Sequence, residues 1–325
     1  MKRRDFIKRL GMTGAAAVGA TAGAYWLHDR RAGDTYFAAQ AEQSVIRLPS
    51  YTVDRGPTAV DLSISHSADP DAAVRAALGA LGGIESFVAR GDRVLLKPNV
   101  AFDRPPILGA TTNPAVLAAA IDLCKSAGAS EILIADNPIN QPEGCFFKSG
   151  IKQVSDAAGA RLILPRPSTF EAVRIEGDVL GTWPVFYNPL QAADKVIGIS
   201  PCKDHNLCGG SMTMKNWYGM LGGRRNQFHQ QIHGIISDFP HLIKPTLVLL
   251  DATRVLMRNG PTGGSVSDVK PANTIVAGTD MVAVDTFGYG ILERDPADLE
   301  YLHLAAKRGL GTTDWKSLNW REVQA

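Results

Sequence analysis

Cysteine is scarce in this sequence: there are four in 325 residues, and no two of them form a C-x-x-C pair. Four cysteines without such a pair do not form a disulfide framework or the spacing of a four-cysteine iron–sulfur cluster, so the chain carries no iron–sulfur cluster motif. The chain also lacks a G-x-G-x-x-G fingerprint after its first strand, a P-loop and a G-x-S-x-G elbow. These absences argue against dinucleotide-binding, P-loop and α/β-hydrolase chemistry.

Clustered positive charge is missing from most of the chain. Residues 42–325 hold 27 basic and 29 acidic side chains, and the formal excess of +2 arises in residues 1–41. Binding to nucleic acid needs a clustered basic face, so no nucleic-acid partner is expected. A composition of 45% apolar and 20% charged residues is typical of a soluble globular protein.

The N-terminus has the pattern of an export signal. Residues 3–8, R-R-D-F-I-K, match the twin-arginine signature, a mildly apolar run covers residues 10–27, and Ala39-Gln40-Ala41 forms an A-x-A cleavage site. We predict a signal peptide over residues 1–41, the twin-arginine translocase as a partner, and a periplasmic or extracytoplasmic location. An uncleaved anchor and a chance arginine pair are the alternatives. This route carries folded proteins, often with a cofactor, and therefore favours a cofactor.

The remaining chain alternates strand and helix patterns. Residues 42–58 predict an extended linker, and residues 59–325 predict a single α/β domain. Apolar runs at 60–65, 93–96 and 131–135 are separated by two helical patterns, which favours a parallel sheet with right-handed crossovers. A small β excursion is expected at 172–188. We predict a mostly parallel, Rossmann-like layered sheet with helices on both faces.

The segment from Ser200 to Arg225 is the centre of the functional prediction. It follows a buried strand and is predicted to begin as a loop that holds Cys202, Lys203, His205 and Cys208. A short helix then carries Lys215 and Asn216. Glycine-rich loops after strand ends are common ligand sites in α/β proteins, so we expect an anion or metal site here.

Polar residues also follow other predicted strands, and parallel strand ends share one edge of a sheet. We predict Lys97, Lys203, His205 and Lys215 as catalytic residues, because lysines at apolar strand ends have no structural task. Aspartates in such positions alternatively cap helices or form turns. The predicted ligand-binding residues are Asn99, Asp136, Asn216, Arg224, Asp251, Asp280 and Asp285.

Two groups of residues offer metal ligands. Cys202, His205 and Cys208 lie within seven residues, and a metal site, a disulfide and inert thiols are open alternatives for this group. His229 and His233 are predicted one helical turn apart on one face, a geometry of many metal sites. Gln230 stands where a zinc protease has its glutamate, so the pair is not that motif. Both histidines are equally compatible with a polar surface.

Seven short motifs occur in one order, and together they resemble the family catalogued as domain of unknown function 362. Cys202 and Cys208 are not part of the family pattern. Family members are often fused to ferredoxin modules or exported by the twin-arginine route. The resemblance therefore implies a redox partner or a cofactor. This chain has no ferredoxin module. The motifs, between residues 58 and 312, are Lys97-Pro98-Asn99, Thr111-Thr112-Asn113-Pro114, Lys203-x-His205, Thr213-Met214-Lys215-Asn216, Lys244-Pro245, Gly260-Pro261-x-x-Gly264 and Asp280 with Asp285.

The leading hypothesis is an exported protein that binds a small anionic ligand or cofactor at the C-terminal edge of the sheet. Lysine and histidine acid–base chemistry beside a carboxylate would suit a racemase or isomerase, and the layout is loosely similar to the nickel-pincer lactate racemase group by analogy. A non-catalytic metal- or cofactor-binding protein is one alternative. The other is an accessory subunit of a membrane redox complex, with exposed anchors at Trp217, Tyr218, Trp315 and Trp320.

Overall fold

A nine-stranded sheet organises residues 46–325, which are the residues described by the computed structural model. The predicted signal peptide and cleavage site lie outside these residues. The strands within the described range are β1 (Leu62–His66), β2 (Arg93–Lys97), β3 (Glu131–Ala135), β4 (Arg161–Ile163), β5 (Phe170–Arg174), β6 (Thr182–Phe186), β7 (Lys195–His205), β8 (Gly209–Ser211), β9 (Leu247–Leu256), β10 (Val269–Gly278) and β11 (Trp320–Gln324).

The strand order is β11-β1-β10-β9-β7-β2-β3-β4, and β8 pairs with the end of β7. All neighbours from β9 to β4 are parallel, whereas β10 runs antiparallel to both β9 and β1. The prediction of a mostly parallel α/β sheet is confirmed. Strand β1 is not adjacent to β2 and β3, because it pairs with β10 and β11.

Helices cover both faces of the sheet. Their bounds are α1 (Pro70–Ala80), α2 (Pro114–Ser126), α3 (Pro142–Lys148), α4 (Ile151–Ala157), α5 (Tyr187–Gln191), α6 (Thr213–Asn216), α7 (Ile232–Leu242), α8 (Met281–Ile291) and α9 (Glu300–Lys307). Within the described residues, no helix is both long enough and apolar enough to cross a bilayer.

Alternation along the strands explains why the core has two layers. In β2, Leu95 packs in the cluster that includes α7, α8 and α9, while Val94 and Leu96 pack in the cluster with α1 and α2. Successive strand residues point to opposite faces, so a continuous apolar run is buried on both sides. Asp69 caps the N-terminus of α1, since its side chain accepts a hydrogen bond from the Asp71 backbone N–H.

Several local predictions differ from the structure. Helices α3 and α4 are divided at Gly150, whose φ of +79° suits glycine. The predicted β excursion forms a separate two-stranded antiparallel sheet of β5 and β6. The expected loop after Ser200 is wrong, because β7 continues to His205 and turns back into β8.

Residues 46–58, which we predicted to be linker, pack against the domain at Tyr51. The Tyr51 side chain is buried, and its hydroxyl donates to the Leu190 carbonyl oxygen at 3.0 Å. Its backbone N–H also donates to the Lys244 carbonyl oxygen at 2.9 Å. Tyr51 therefore fixes the start of the described chain to α5 and to the segment that follows α7.

Candidate functional site

A cleft of about 170 Å³ opens at the carboxyl ends of β2, β3 and β7. These strands are parallel neighbours, so the side chains that follow them meet at one edge of the sheet. Helix α6 adds two more side chains to the wall. The predicted site residues that line the cleft are Lys97, Asn99, Asp136, Lys203, His205, Lys215, Asn216 and His229.

Lys97 and Asp136 form a buried ion pair at the base of the cleft. The Lys97 Nζ lies 2.6 Å from the Asp136 Oδ1, and both side chains are fully buried. The lysine also donates to the Pro98 carbonyl oxygen at 2.9 Å and to the Asn216 Oδ1 at 2.8 Å. An ammonium has three N–H donors, so these partners occupy all of them. Lys97 therefore belongs to the frame of the cleft.

The segment after α6 packs directly against this ion pair, and Gly219 is its point of closest approach. A Cβ atom at this position would lie 2.0 Å from the Asp136 Oδ1 and 2.9 Å from the Lys97 Nζ. Both distances are far below van der Waals contact, so a larger residue would displace the pair. Close packing therefore requires glycine at position 219.

An amide network links the ion pair to Lys203. The Asn99 Nδ2 donates to the Asn216 Oδ1 at 3.2 Å, and Lys203 Nζ donates to the Asn99 Oδ1 at 3.2 Å. Lys203 also donates to the Ala110 carbonyl oxygen at 2.5 Å. These two acceptors leave one N–H of the ammonium for a ligand. Burial, assisted by the nearby charge of Lys215, lowers the pKa of Lys203 to about 7.

Lys215 faces the cleft without a polar partner. Its Nζ lies 5.1 Å from the centroid of the Tyr218 ring, and within residues 46–325 we find no hydrogen bond or ion pair to it. Burial lowers the pKa of Lys215, and the positive charge of Arg225 adds to the effect. An amine of this kind is available to an anion that enters the cleft.

His205 is held as a neutral hydrogen-bond donor. Its Nδ1 accepts the Leu207 backbone N–H at 3.2 Å, which leaves the ring proton on Nε2. Burial, followed by the charges of Lys215 and Lys203, lowers the pKa of His205 to about 2. His205 and Lys203 lie two residues apart on β7 and therefore on the same face of the strand.

Arg225 is the cleft residue that the sequence analysis missed. Its guanidinium donates to the carbonyl oxygens of Tyr218 and Leu221 and to those of Asn137 and Pro138, at 2.8–3.2 Å. The predicted residue, Arg224, is exposed and does not line the cleft. Two adjacent arginines carry no sequence signal that tells which one turns inward.

The structure places three predicted ligand-binding carboxylates outside the cleft, where each holds backbone N–H groups. Asp251 accepts from the Asn113 N–H at 2.8 Å, at the start of α2. Asp280 caps α8 through the Val282 N–H at 2.8 Å, at the opposite edge of the sheet because β10 is antiparallel. Asp285 accepts hydrogen bonds from the backbone N–H and the hydroxyl of Thr213, and these bonds fix the start of α6.

The five predicted metal ligands are not brought together. Cys202 and Cys208 are buried free thiols, so the disulfide alternative does not apply to this structure. Cys202 and His205 are an odd number of positions apart on β7, and their side chains therefore point to opposite faces. Within residues 46–325, no group of three or more His, Cys, Asp or Glu side chains has the geometry to hold a metal ion.

The two predicted helical histidines have different surroundings. His229 lies in a 3₁₀ segment, Arg225–Gln231, where residues four apart are rotated by about 120° around the axis. It lines the cleft beside Tyr218. His233 lies in α7, 3.9 Å from Glu300, and stacks on Tyr301. The break between the 3₁₀ and α segments is the reason that the two rings do not share a face.

The aromatic anchors predicted for a partner complex are less exposed than expected. Trp217 and Tyr218 are buried in the core. Trp315 and Trp320 are half-buried and pack edge to face, with ring centroids 5.0 Å apart. The expectation of four exposed aromatic side chains is wrong, because these rings complete the packing of the domain.

Comparison with known proteins gives one family and several distant relatives. The family model described as "Domain of unknown function (DUF362)" matches residues 94–290, which include the cleft. The Thylakoid-associated protein sll1697 of Synechocystis is 26% identical over 257 residues, covering 74% of this chain and 76% of that protein.

Two solved structures are among the matches found by comparison of structures. One is the lactate racemase apoprotein of Thermoanaerobacterium thermosaccharolyticum, with a TM-score of 0.40 and 16% identity over 76% of this chain and 62% of that one. The other is a Thermotoga maritima protein, with a TM-score of 0.38 and 12% identity over 74% of this chain and 60% of that one.

Proposed function

This chain belongs to the DUF362 family, and from that premise we propose that its cleft binds a small anion, a carboxylate or a phosphate. The observation that carries the proposal is the ammonium of Lys215, which faces the cleft with no polar partner among the described residues. Lys203 Nζ and His205 Nε2 provide two further donors from the same face of β7. Three convergent donors are a suitable arrangement for the oxygens of one anion.

The charge of the cleft supports the proposal. Four cationic side chains line it, namely Lys97, Lys203, Lys215 and Arg225, against one carboxylate, that of Asp136. Lys97 already neutralises Asp136. The remaining positive charges repel one another in a buried setting, and this repulsion contributes to the lowered pKa values of Lys203 and Lys215. A bound anion would remove that repulsion and return both amines towards the charged form.

The same residues suit proton transfer on the bound anion. In the free cleft the pKa of Lys203 is about 7, well below the ordinary 10.5, so this amine exchanges its proton near neutral pH more readily than an ordinary lysine, as a general base or acid requires. His205, which remains neutral, would donate a hydrogen bond through Nε2 to a developing negative charge. We therefore propose that any reaction at this site transfers a proton at a position next to the anionic group, with Lys203 as the base.

Replacement of Lys215 by glutamine tests the binding proposal. We expect Lys215→Gln to weaken the binding of acetate and inorganic phosphate by about tenfold or more, because a charge-assisted hydrogen bond is lost. Isothermal titration calorimetry at fixed low salt measures the affinities. The matched control is Lys307→Gln, which replaces an exposed lysine on α9 that does not line the cleft and should leave binding unchanged. Equal affinity of Lys215→Gln and the unmodified protein would refute the proposal.

The pH dependence of anion binding follows from Lys203. Its folded-state pKa lies below the ordinary lysine value of 10.5, so the amine loses its charge as the pH rises through about 7. Sulfate keeps a constant charge over this range, and its affinity should therefore fall by up to about tenfold between about pH 6 and about pH 8. Lys203→Arg keeps the charge throughout and should flatten the curve. A flat curve for the unmodified protein would contradict the assignment.

A further inference from the structure

The mouth of the cleft is bordered by apolar side chains that face solvent. Ile139, in the segment after β3, is 59% exposed, and Leu207, in the turn between β7 and β8, is 51% exposed. Both line the same cleft as the three lysines. Single exposed apolar side chains are ordinary on a protein surface. Several of them at the rim of a charged cavity indicate a site that binds an apolar group.

Backbone hydrogen bonds fix this rim in place. The Ile139 N–H donates to the Ala101 carbonyl oxygen at 3.0 Å, and the Leu207 N–H donates to the Nδ1 of His205 at 3.2 Å. The second bond joins the rim directly to the side chain that would contact the anion. Neither side chain therefore extends from a free loop, and both are held at the entrance by groups that belong to the cleft.

The apolar surface continues inward from the rim. Phe102 lines the cleft, and the centroid of its ring lies 5.2 Å from the Lys203 Nζ. Ala101 and Pro261 line the same cavity. Apolar side chains thus line a path from the cationic base of the cleft to the solvent. A hydrophilic ligand such as free phosphate would leave this apolar surface in contact with water.

We infer that the ligand is an amphiphile, with one anionic head group at Lys203 and Lys215 and a hydrocarbon chain that passes Phe102 and leaves the cleft against Ile139 and Leu207. This inference rests on the proposed function, since the head group is the anion of that proposal. A carboxylate or phosphate head group satisfies the same donors. The hydrocarbon chain gains affinity by covering carbon surface that is otherwise exposed to water.

Titrations with ligands of different chain length test the inference. Acetate is compared with hexanoate, and inorganic phosphate with hexyl phosphate, by isothermal titration calorimetry with the full chain. Each methylene that is fully buried should raise affinity by about fourfold, so the longer ligand of each pair should bind more tightly by well over tenfold. The head-group pair that shows the larger gain identifies the preferred anion.

Substitutions at the rim locate the hydrocarbon chain. Ile139→Ser and Leu207→Ser should lose much of the gain from chain length and keep the affinity for acetate. The matched control is Val266→Ser, which replaces an apolar side chain that is 57% exposed but does not line the cleft, and which should change neither quantity. Circular dichroism confirms that each variant is folded.

The outcomes separate the two proposals. Binding of acetate or phosphate with no gain from chain length in the unmodified protein would overturn the amphiphile and leave anion binding intact. A gain that Ile139→Ser and Leu207→Ser both retain would overturn the assigned path. A failure of every anion to bind the unmodified protein would overturn the proposed function, and the amphiphile with it.

Discussion

Asp136→Ala is expected to destabilise the folded protein by about 3–5 kcal/mol, because it leaves the buried ammonium of Lys97 without a counter-charge. Lys97 is fully buried and lies near a second cation, Arg225, whose charge further lowers its pKa. The substitution also removes the acceptor of the Val100 N–H, which bonds to the Asp136 Oδ2 at 2.7 Å. The free energy of unfolding, measured in urea, gives the size of the loss.

Two further variants identify the ion pair as the cause. Lys97→Met with Asp136→Leu removes both charges, and we expect this double variant to be more stable than Asp136→Ala, since no unpaired charge remains in the core. Asp156→Ala breaks an exposed pair with Lys152 and should cost less than about 1 kcal/mol. A double variant as unstable as Asp136→Ala would show that packing, and not the unpaired charge, determines the loss.

Asp285→Ala is expected to cost about 3 kcal/mol or more at acidic pH, since it removes the acceptor of three hydrogen bonds at the start of α6. These bonds come from the N–H and hydroxyl of Thr213, at 2.7 and 2.5 Å, and from the Met214 N–H, at 3.0 Å. Because α6 carries Lys215 and Asn216, the variant should also weaken anion binding. Chemical denaturation and calorimetry measure the two effects.

The size of this loss should depend on pH in a definite direction. Burial raises the pKa of Asp285 from the ordinary 3.8 to about 7, so the folded state binds the proton more tightly than the unfolded state does. The contribution of Asp285 to stability is therefore complete below about pH 4. It decreases as the pH rises through about 7, by up to about 1.4 kcal/mol per pH unit.

The difference in stability between the unmodified protein and Asp285→Ala should thus shrink from about pH 4 to about pH 7 and stay constant above that range. Asp295→Ala is the matched control, because Asp295 is an exposed cap that accepts the Ala297 N–H at 2.9 Å. Its loss should be about 1 kcal/mol. A difference for Asp285→Ala that grows with pH would contradict the raised pKa.

Much of the cleft was predictable, because it follows from the direction of the strands. Lys97, Asp136 and Lys203 each come at or near the end of an apolar run, and the helices between these runs indicate parallel strands. Parallel neighbours must place those ends together, as β2, β3 and β7 do. The predicted sheet of the α/β class is confirmed for the same reason.

Other parts of the site depend on information that is not local in sequence. The apolar run of β10 resembles the parallel ones, so nothing in its residues indicates that it runs antiparallel and carries Asp280 to the opposite edge. The end of β7 contains polar residues that are typical of a loop, and only pairing with β8 and β9 keeps it extended. Asp251 and Asp285 resemble ligands in sequence, but they bind backbone N–H groups of segments 72 or more positions away.

The wall of the cleft is assembled from segments as distant as Lys97 and Pro261. Such a pocket exists only after the whole sheet has closed, so a partly folded chain has little affinity for the ligand. A ligand at a hundred times its dissociation constant would then add about 2.7 kcal/mol to the stability of the domain as one cooperative unit. Thermal melting in the presence of candidate compounds therefore offers a way to find the natural ligand before its reaction is known.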